Sequence, residues 1–60
     1  MNNENDTRIW LDDMYAIHRY KGLTLWYLEY YRFGKKYMPE EIYADNDYGK
    51  VYSKYLKEMR

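Results

Sequence analysis

Cysteine is absent from this chain of 60 residues, which excludes disulfides and thiolate metal sites. Histidine occurs once, as His18, so an imidazole-based metal site would lack companions. Phenylalanine and proline also occur once each, as Phe33 and Pro39. No apolar run approaches the length of a membrane span. The first residues, MNNENDTR, are polar and acidic where a signal peptide is basic and then apolar. With the lack of cysteine this fits a cytoplasmic setting. No metal, cofactor, membrane or small-molecule substrate is expected. The formal net charge is zero, and a neutral domain starts at a disadvantage for binding phosphate backbones.

Aromatic residues are plentiful: ten tyrosines and two tryptophans. A domain this small buries only about 60% of its unfolded surface, and ordering the chain costs roughly 1.5 kcal/mol per residue. Without disulfides or metal, stability must come from dense packing or from burial against another chain. Each aromatic ring offers on the order of 150–250 Å² for either purpose.

The charges alternate in blocks. Residues 1–18 hold four acids and one base, and 19–37 hold five bases and one acid. Residues 38–48 hold four acids, and 49–60 hold four bases and one acid. Acids gather at helix N-termini and bases at C-termini, where the macrodipole favours each. That alternation argues for helices ahead of a pair of nucleic-acid patches.

The punctuation predicts a compact all-α domain over residues 6–60, behind a flexible segment 1–5. Asp6 or Thr7 caps a first helix with Trp10, Leu11, Met14, Ile17 and His18 on one arc, closed by Lys21-Gly22. Thr24 caps a second helix that stops at Gly34. Met38-Pro39-Glu40-Glu41 opens a short helical turn, and Asp45-Asn46-Asp47 forms a turn and cap. In the last helix Tyr48, Val51, Tyr52, Tyr55, Leu56 and Met59 form one stripe opposite Lys50, Ser53, Lys54 and Lys57. The architecture is three main helices plus the turn near Pro39.

The stretch Leu23 to Tyr37, LTLWYLEYYRFGKKY, is apolar on two sides whether read as helix or as strand. As a strand it would set Tyr27, Tyr31 and Phe33 against Trp26, Leu28 and Tyr30. Thr24 and Gly34 favour helix. Sixty residues cannot surround an element apolar on both sides, so one side is core and the other a contact surface. Trp26, Tyr30 and Phe33 are assigned to the core. Tyr27 and Tyr31, whose hydroxyls tolerate a wet rim, are assigned to partner binding, with Arg32, Lys35 and Lys36 as a charged margin.

Motifs for chemistry are few. Asp45 to Gly49 resembles the start of a calcium loop, but the loop positions that need glycine and glutamate hold Lys50 and Leu56. A helix-turn-helix about Gly22 would present Thr24, Tyr27, Leu28 and Tyr31 to a major groove, a set poor in base-reading side chains. The carboxylate pairs Asp12-Asp13 and Glu40-Glu41 diverge by about 100° on a helix. His18 reads as a packed or hydrogen-bonded core histidine. An enzyme is not expected. Tyrosine, tryptophan and arginine concentrate binding energy at interfaces. The expected function is therefore a small protein-interaction module, an inhibitor or modulator that binds a larger cytoplasmic protein through a tyrosine-rich helix face. Two alternatives stand beside it. One is single-stranded nucleic-acid binding through Tyr31-Arg32-Phe33-Gly34-Lys35-Lys36-Tyr37, where rings and cations interleave. The other is a structural homo-oligomer.

Overall fold

A computed structural model describes residues 5–59; the expected flexible segment 1–5 falls, except for Asn5, outside them. Four strands precede one helix: β1 (Thr7–Trp10), β2 (Tyr15–Arg19), β3 (Trp26–Tyr30), β4 (Glu40–Asp45) and α1 (Tyr48–Glu58). The strands form one antiparallel meander in the order β1-β2-β3-β4. This overturns the all-α, three-helix expectation and with it the reading as a small helical domain.

The physical reason lies in side-chain type and spacing. Thr7, Ile9 and Trp10, then Tyr15 and Ile17, then Trp26, Tyr27 and Tyr30 are the β-branched and aromatic residues that suit a pleated surface. Ile9 pairs with Ile17 and Ile17 with Leu28 across the ladders, so a row of aliphatic side chains runs across one face. The expected first helix is instead a hairpin. Asp12 reverses the chain, its Oδ1 accepting from the backbone N–H groups of Met14 and Tyr15 at 2.7 and 2.8 Å. Trp10 and Ile17, placed on one helical arc, lie on opposite sides of the sheet.

Gly22 and Gly34, expected to end helices, have positive φ of 80° and 108°, but both serve loops between strands. Leu23 N–H donates to Tyr20 C=O at 3.0 Å, closing a turn that brings β3 back against β2. Pro39 opens no helix. It precedes the edge strand β4, where its missing N–H is tolerated.

The core lies between the sheet and α1. Ile17, Leu28, Val51 and Tyr55 are buried together, with Leu11, Tyr15, Trp26, Ile42 and Tyr48 packed around them. Leu28 pairs with Tyr43 but Glu29 with Glu41. Ile42 is the extra residue of this bulge, and it packs onto the core. α1 lies where expected, capped by Asp47, whose Oδ1 accepts from Gly49 N–H at 2.9 Å. Only Val51 and Tyr55 of its stripe are buried, while Tyr52 and Leu56 are each 40% exposed.

Candidate functional site

The sheet face away from α1 gathers the polar chemistry. Strand parity places Arg8 and Trp10 of β1, His18 of β2, and Tyr27 and Glu29 of β3 on it, with Tyr20 and Tyr31 just beyond strand ends. Glu29 is fully buried. Its Oε2 accepts from the Tyr20 hydroxyl at 2.6 Å and lies 3.2 Å from His18 Nδ1. Its Oε1 accepts from the Tyr31 hydroxyl at 2.7 Å and lies 4.0 Å from Arg8 Nε. For the imidazole contact to be a hydrogen bond, Nδ1 must carry the proton. The Arg8 guanidinium nitrogen 3.4 Å from the same atom is then a packing neighbour, because one nitrogen cannot donate and accept at once. On the other side of the ring, His18 Nε2 lies 3.4 Å from Asp6 Oδ2, without the alignment of a hydrogen bond.

The cluster answers the cost of burying a carboxylate, which is severe unless charge and hydrogen bonds compensate it. The effect is visible in the phenols. The hydrogen bond to Glu29, then burial, pushes Tyr20 well above the ordinary phenol range. Burial, then the hydrogen bond to Glu29, pushes Tyr31 up to about 12. Rings close the face over this centre: His18 lies 4.0 Å from Tyr20, Tyr20 5.3 Å from Tyr27, and Trp10 4.6 Å from Tyr31, centroid to centroid. Glu29 is enclosed by these groups, and the cluster forms a polar core on this face of the sheet. Among the described residues, no group of three or more His, Cys, Asp or Glu side chains is placed to hold a metal ion.

The accessible chemistry lies beside it, in the loop between β3 and β4. Phe33, Tyr37 and Met38 are 71%, 63% and 88% exposed. Arg32, Lys35 and Lys36 are interleaved with them. The loop is tethered at both ends: Tyr31 N–H donates to Met14 C=O at 2.7 Å, and Arg32 Nε pairs with Glu40 at 3.1 Å. Within it, Gly34 N–H donates to Tyr31 C=O and Tyr37 N–H to Gly34 C=O, each at 3.2 Å.

The residues expected to bind a partner are therefore divided by the fold. Tyr31 is 3% exposed and held by Glu29, which corrects its assignment to a contact surface. Tyr27 is half-buried on the polar face. Both belong to β3 or its end, so no tyrosine-rich helix face exists there. Arg32, Lys35 and Lys36 remain exposed, with the Lys35 ammonium 4.6 Å above the Trp10 ring. Phe33, assigned to the core, is the most exposed ring of the loop. Trp26 and Tyr30 do turn toward the α1 side, half-buried.

Glu29 and Arg8 were given no role in the reading of the sequence. A signal was present: Glu29 is the sole acid of residues 19–37 and stands between aromatic residues two positions away on each side. His18 was read as packed or hydrogen-bonded and is 2% exposed.

A separate open groove of about 400 Å³ runs between α1 and β4, lined by Tyr43, Asp47, Gly49, Lys50, Ser53, Lys54 and Lys57. Lys54 is paired with Glu58 at 3.2 Å. No helix of the described residues is long and apolar enough to cross a membrane. No protein-family model matches the chain, and no curated protein or solved structure is significantly similar to it.

Proposed function

We propose that the protein is a small non-enzymatic interaction module, an inhibitor or modulator that binds a larger protein through the loop Arg32 to Met38. The observation that carries this reading is the exposure of Phe33, Tyr37 and Met38 within six residues of one tethered loop. Large apolar side chains held in place in water are anchors for a pocket, and little ordering cost is left to pay on binding. Arg32, Lys35 and Lys36 around them favour a partner whose apolar pocket has an acidic rim.

Single-stranded nucleic acid is the weaker reading of the same loop. Its stacking platform would need Tyr31, which is buried. The formal net charge of the chain is zero, a disadvantage against a phosphate backbone. The test is retention from a nuclease-treated host lysate on the tagged chain, in parallel with a Phe33→Ala/Met38→Ala variant. A protein retained by the first and lost by the second is the expected result. Equal retention by both would overturn the loop assignment, and material lost only on nuclease treatment would favour nucleic acid.

A further inference from the structure

The polar cluster contains one conflict. His18 Nδ1 gives its proton to Glu29 Oε2 at 3.2 Å, so in the neutral ring Nε2 carries a lone pair and can only accept. The atom it meets is another acceptor, Asp6 Oδ2 at 3.4 Å. Nε2 is itself buried and has no hydrogen-bond partner, an arrangement that a folded protein bears only at a cost. A second proton removes the conflict. Nε2–H then faces the Asp6 carboxylate, and the imidazolium lies between two anions, a contact that does not need the alignment of a hydrogen bond to attract.

Asp6 also ties two parts of the sheet together. Its Oδ1 accepts from Lys21 N–H at 2.6 Å, joining the residue before β1 to the turn after β2, just outside the Thr7–Arg19 pair. The Lys21 N–H holds the Asp6 carboxyl below its ordinary range, against the effect of burial and with help from His18. Asp6 therefore stays an anion across the range in which histidines change charge, about pH 5–8. The other groups around the ring come from every neighbouring element. Arg8 on β1 has a guanidinium nitrogen 3.4 Å from Nδ1. Tyr27 and Glu29 stand on β3, with Glu41 of β4 paired to Glu29. Tyr20 and Tyr31 both donate to Glu29. Arg8 and the burial of the ring oppose a second proton, and Glu29 and Asp6 favour it. Of the two carboxylates, Asp6 is the one at Nε2.

We propose that His18 and Asp6 form a proton-operated strap at this end of the sheet: with both ring nitrogens protonated Asp6 is held against His18 and Lys21, and loss of the Nε2 proton releases it. In the released form the Nε2 lone pair and the Asp6 carboxylate repel, Asp6 turns outward, and its bond to Lys21 N–H weakens. The Nδ1 bond to Glu29 persists, because the proton that leaves is the one on Nε2. The Asp6 side chain is 55% exposed, which gives that proton a route to water. The strap is thus closed at lower pH and opens as pH rises. It acts on the start of β1 and the β2–β3 turn and makes no use of the loop Arg32 to Met38.

Nuclear magnetic resonance of the nitrogen-labelled full chain tests this, since His18 is the only histidine and its ring nitrogens cannot be mistaken for others. Across about pH 5–8 the ring should pass from the doubly protonated form to one with its proton on Nδ1 alone. The Lys21 amide proton, moved downfield by its 2.6 Å bond, should shift upfield along the same curve. Asp6→Asn supplies an amide that can accept from Lys21 N–H and donate to the Nε2 lone pair. In that variant the ring should keep a single proton, on Nδ1, and the Lys21 resonance should stay flat over the same range. A parent ring that holds one state throughout would overturn the proposal. So would a Lys21 amide that ignores the ring's titration, a proton lost from Nδ1 in place of Nε2, or an Asp6→Asn curve that coincides with the parent's. Should Asp6→Asn fail to fold, the two curves of the parent decide alone.

Discussion

The two faces of the sheet solve the same problem by opposite means. On the α1 side, Ile17 and Leu28 meet Val51 and Tyr55 in an aliphatic and aromatic core that gains from removing carbon from water. On the other side no helix is available among the described residues. Tyrosine and tryptophan rings close over Glu29, His18 and Arg8, and each buried polar atom there needs a partner. The first face tolerates shape changes within limits, whereas the second depends on a complete set of donors around one carboxylate. One further polar contact lies at the β1–β2 hairpin tip. There Asp12 accepts from the Tyr55 hydroxyl at 2.8 Å, tying the sheet to the helix.

The contrast is broken most severely at Glu29. Glu29→Ala leaves the Tyr20, Tyr31 and His18 donors and the Arg8 charge without their acceptor, and should destabilise by about 3–5 kcal/mol, the range for removing one partner of a buried charged set. For a domain of this size that is enough to unfold it, and a cooperative melt close to the parent's would show that the polar face is dispensable. Leu28→Ala, the neighbouring residue on the opposite face, should cost about 2–5 kcal/mol through lost burial and a cavity, read from urea denaturation.

Tyr31→Phe removes one hydrogen bond to a charged acceptor and keeps the ring against Trp10, so the loss should fall to about 1.5–3 kcal/mol. The same phenol sharpens the comparison through pH. Its folded-state pKa lies above its unfolded value, so its contribution is fully present below about pH 10. It is lost as pH rises through the interval up to about 12. Stability measured across that interval should fall less steeply in Tyr31→Phe than in the parent, and parallel slopes would show that Tyr31 is not coupled to Glu29. At the acid end Asp12 behaves in the opposite sense. Burial alone would raise its carboxyl, but the N–H groups of Met14 and Tyr15 and the Tyr55 hydroxyl hold it below the usual range. Its contribution is present above the unfolded value and lost as pH falls through the depressed one. Stability of Asp12→Asn should therefore vary less with pH at the acid end than that of the parent. The smallest effect belongs to Phe33→Ala. Although its ring is the only phenylalanine, it is exposed, and its removal should change stability by no more than about 0.5 kcal/mol. A sharp fall in Tm would return Phe33 to the core.

Much that is local was legible before the fold was known. The last helix, its cap within Asp45-Asn46-Asp47, the chain breaks at Gly22 and Gly34 and the two-sided character of Leu23 to Tyr37 all follow from one short window of sequence. Each depends only on backbone sterics, capping and side-chain period. The strand reading of that stretch even had the parity of β3, setting Trp26, Leu28 and Tyr30 against Tyr27 and Tyr31. What the sequence alone could not decide was whether Gly22 ends a helix or turns a hairpin, since the same positive φ serves both. Ile9, Ile17 and Leu28 settle it by facing one another across ladders, and that pairing is visible only when distant segments meet. Tertiary structure likewise decided which rings are wet. Tyr31 is buried where its hydroxyl meets Glu29 and its ring lies against Trp10, while Phe33, less polar, is exposed at the centre of the turn that Gly34 N–H closes onto Tyr31 C=O. Residue type fixes what burial would be worth; only the assembled neighbours fix whether burial occurs.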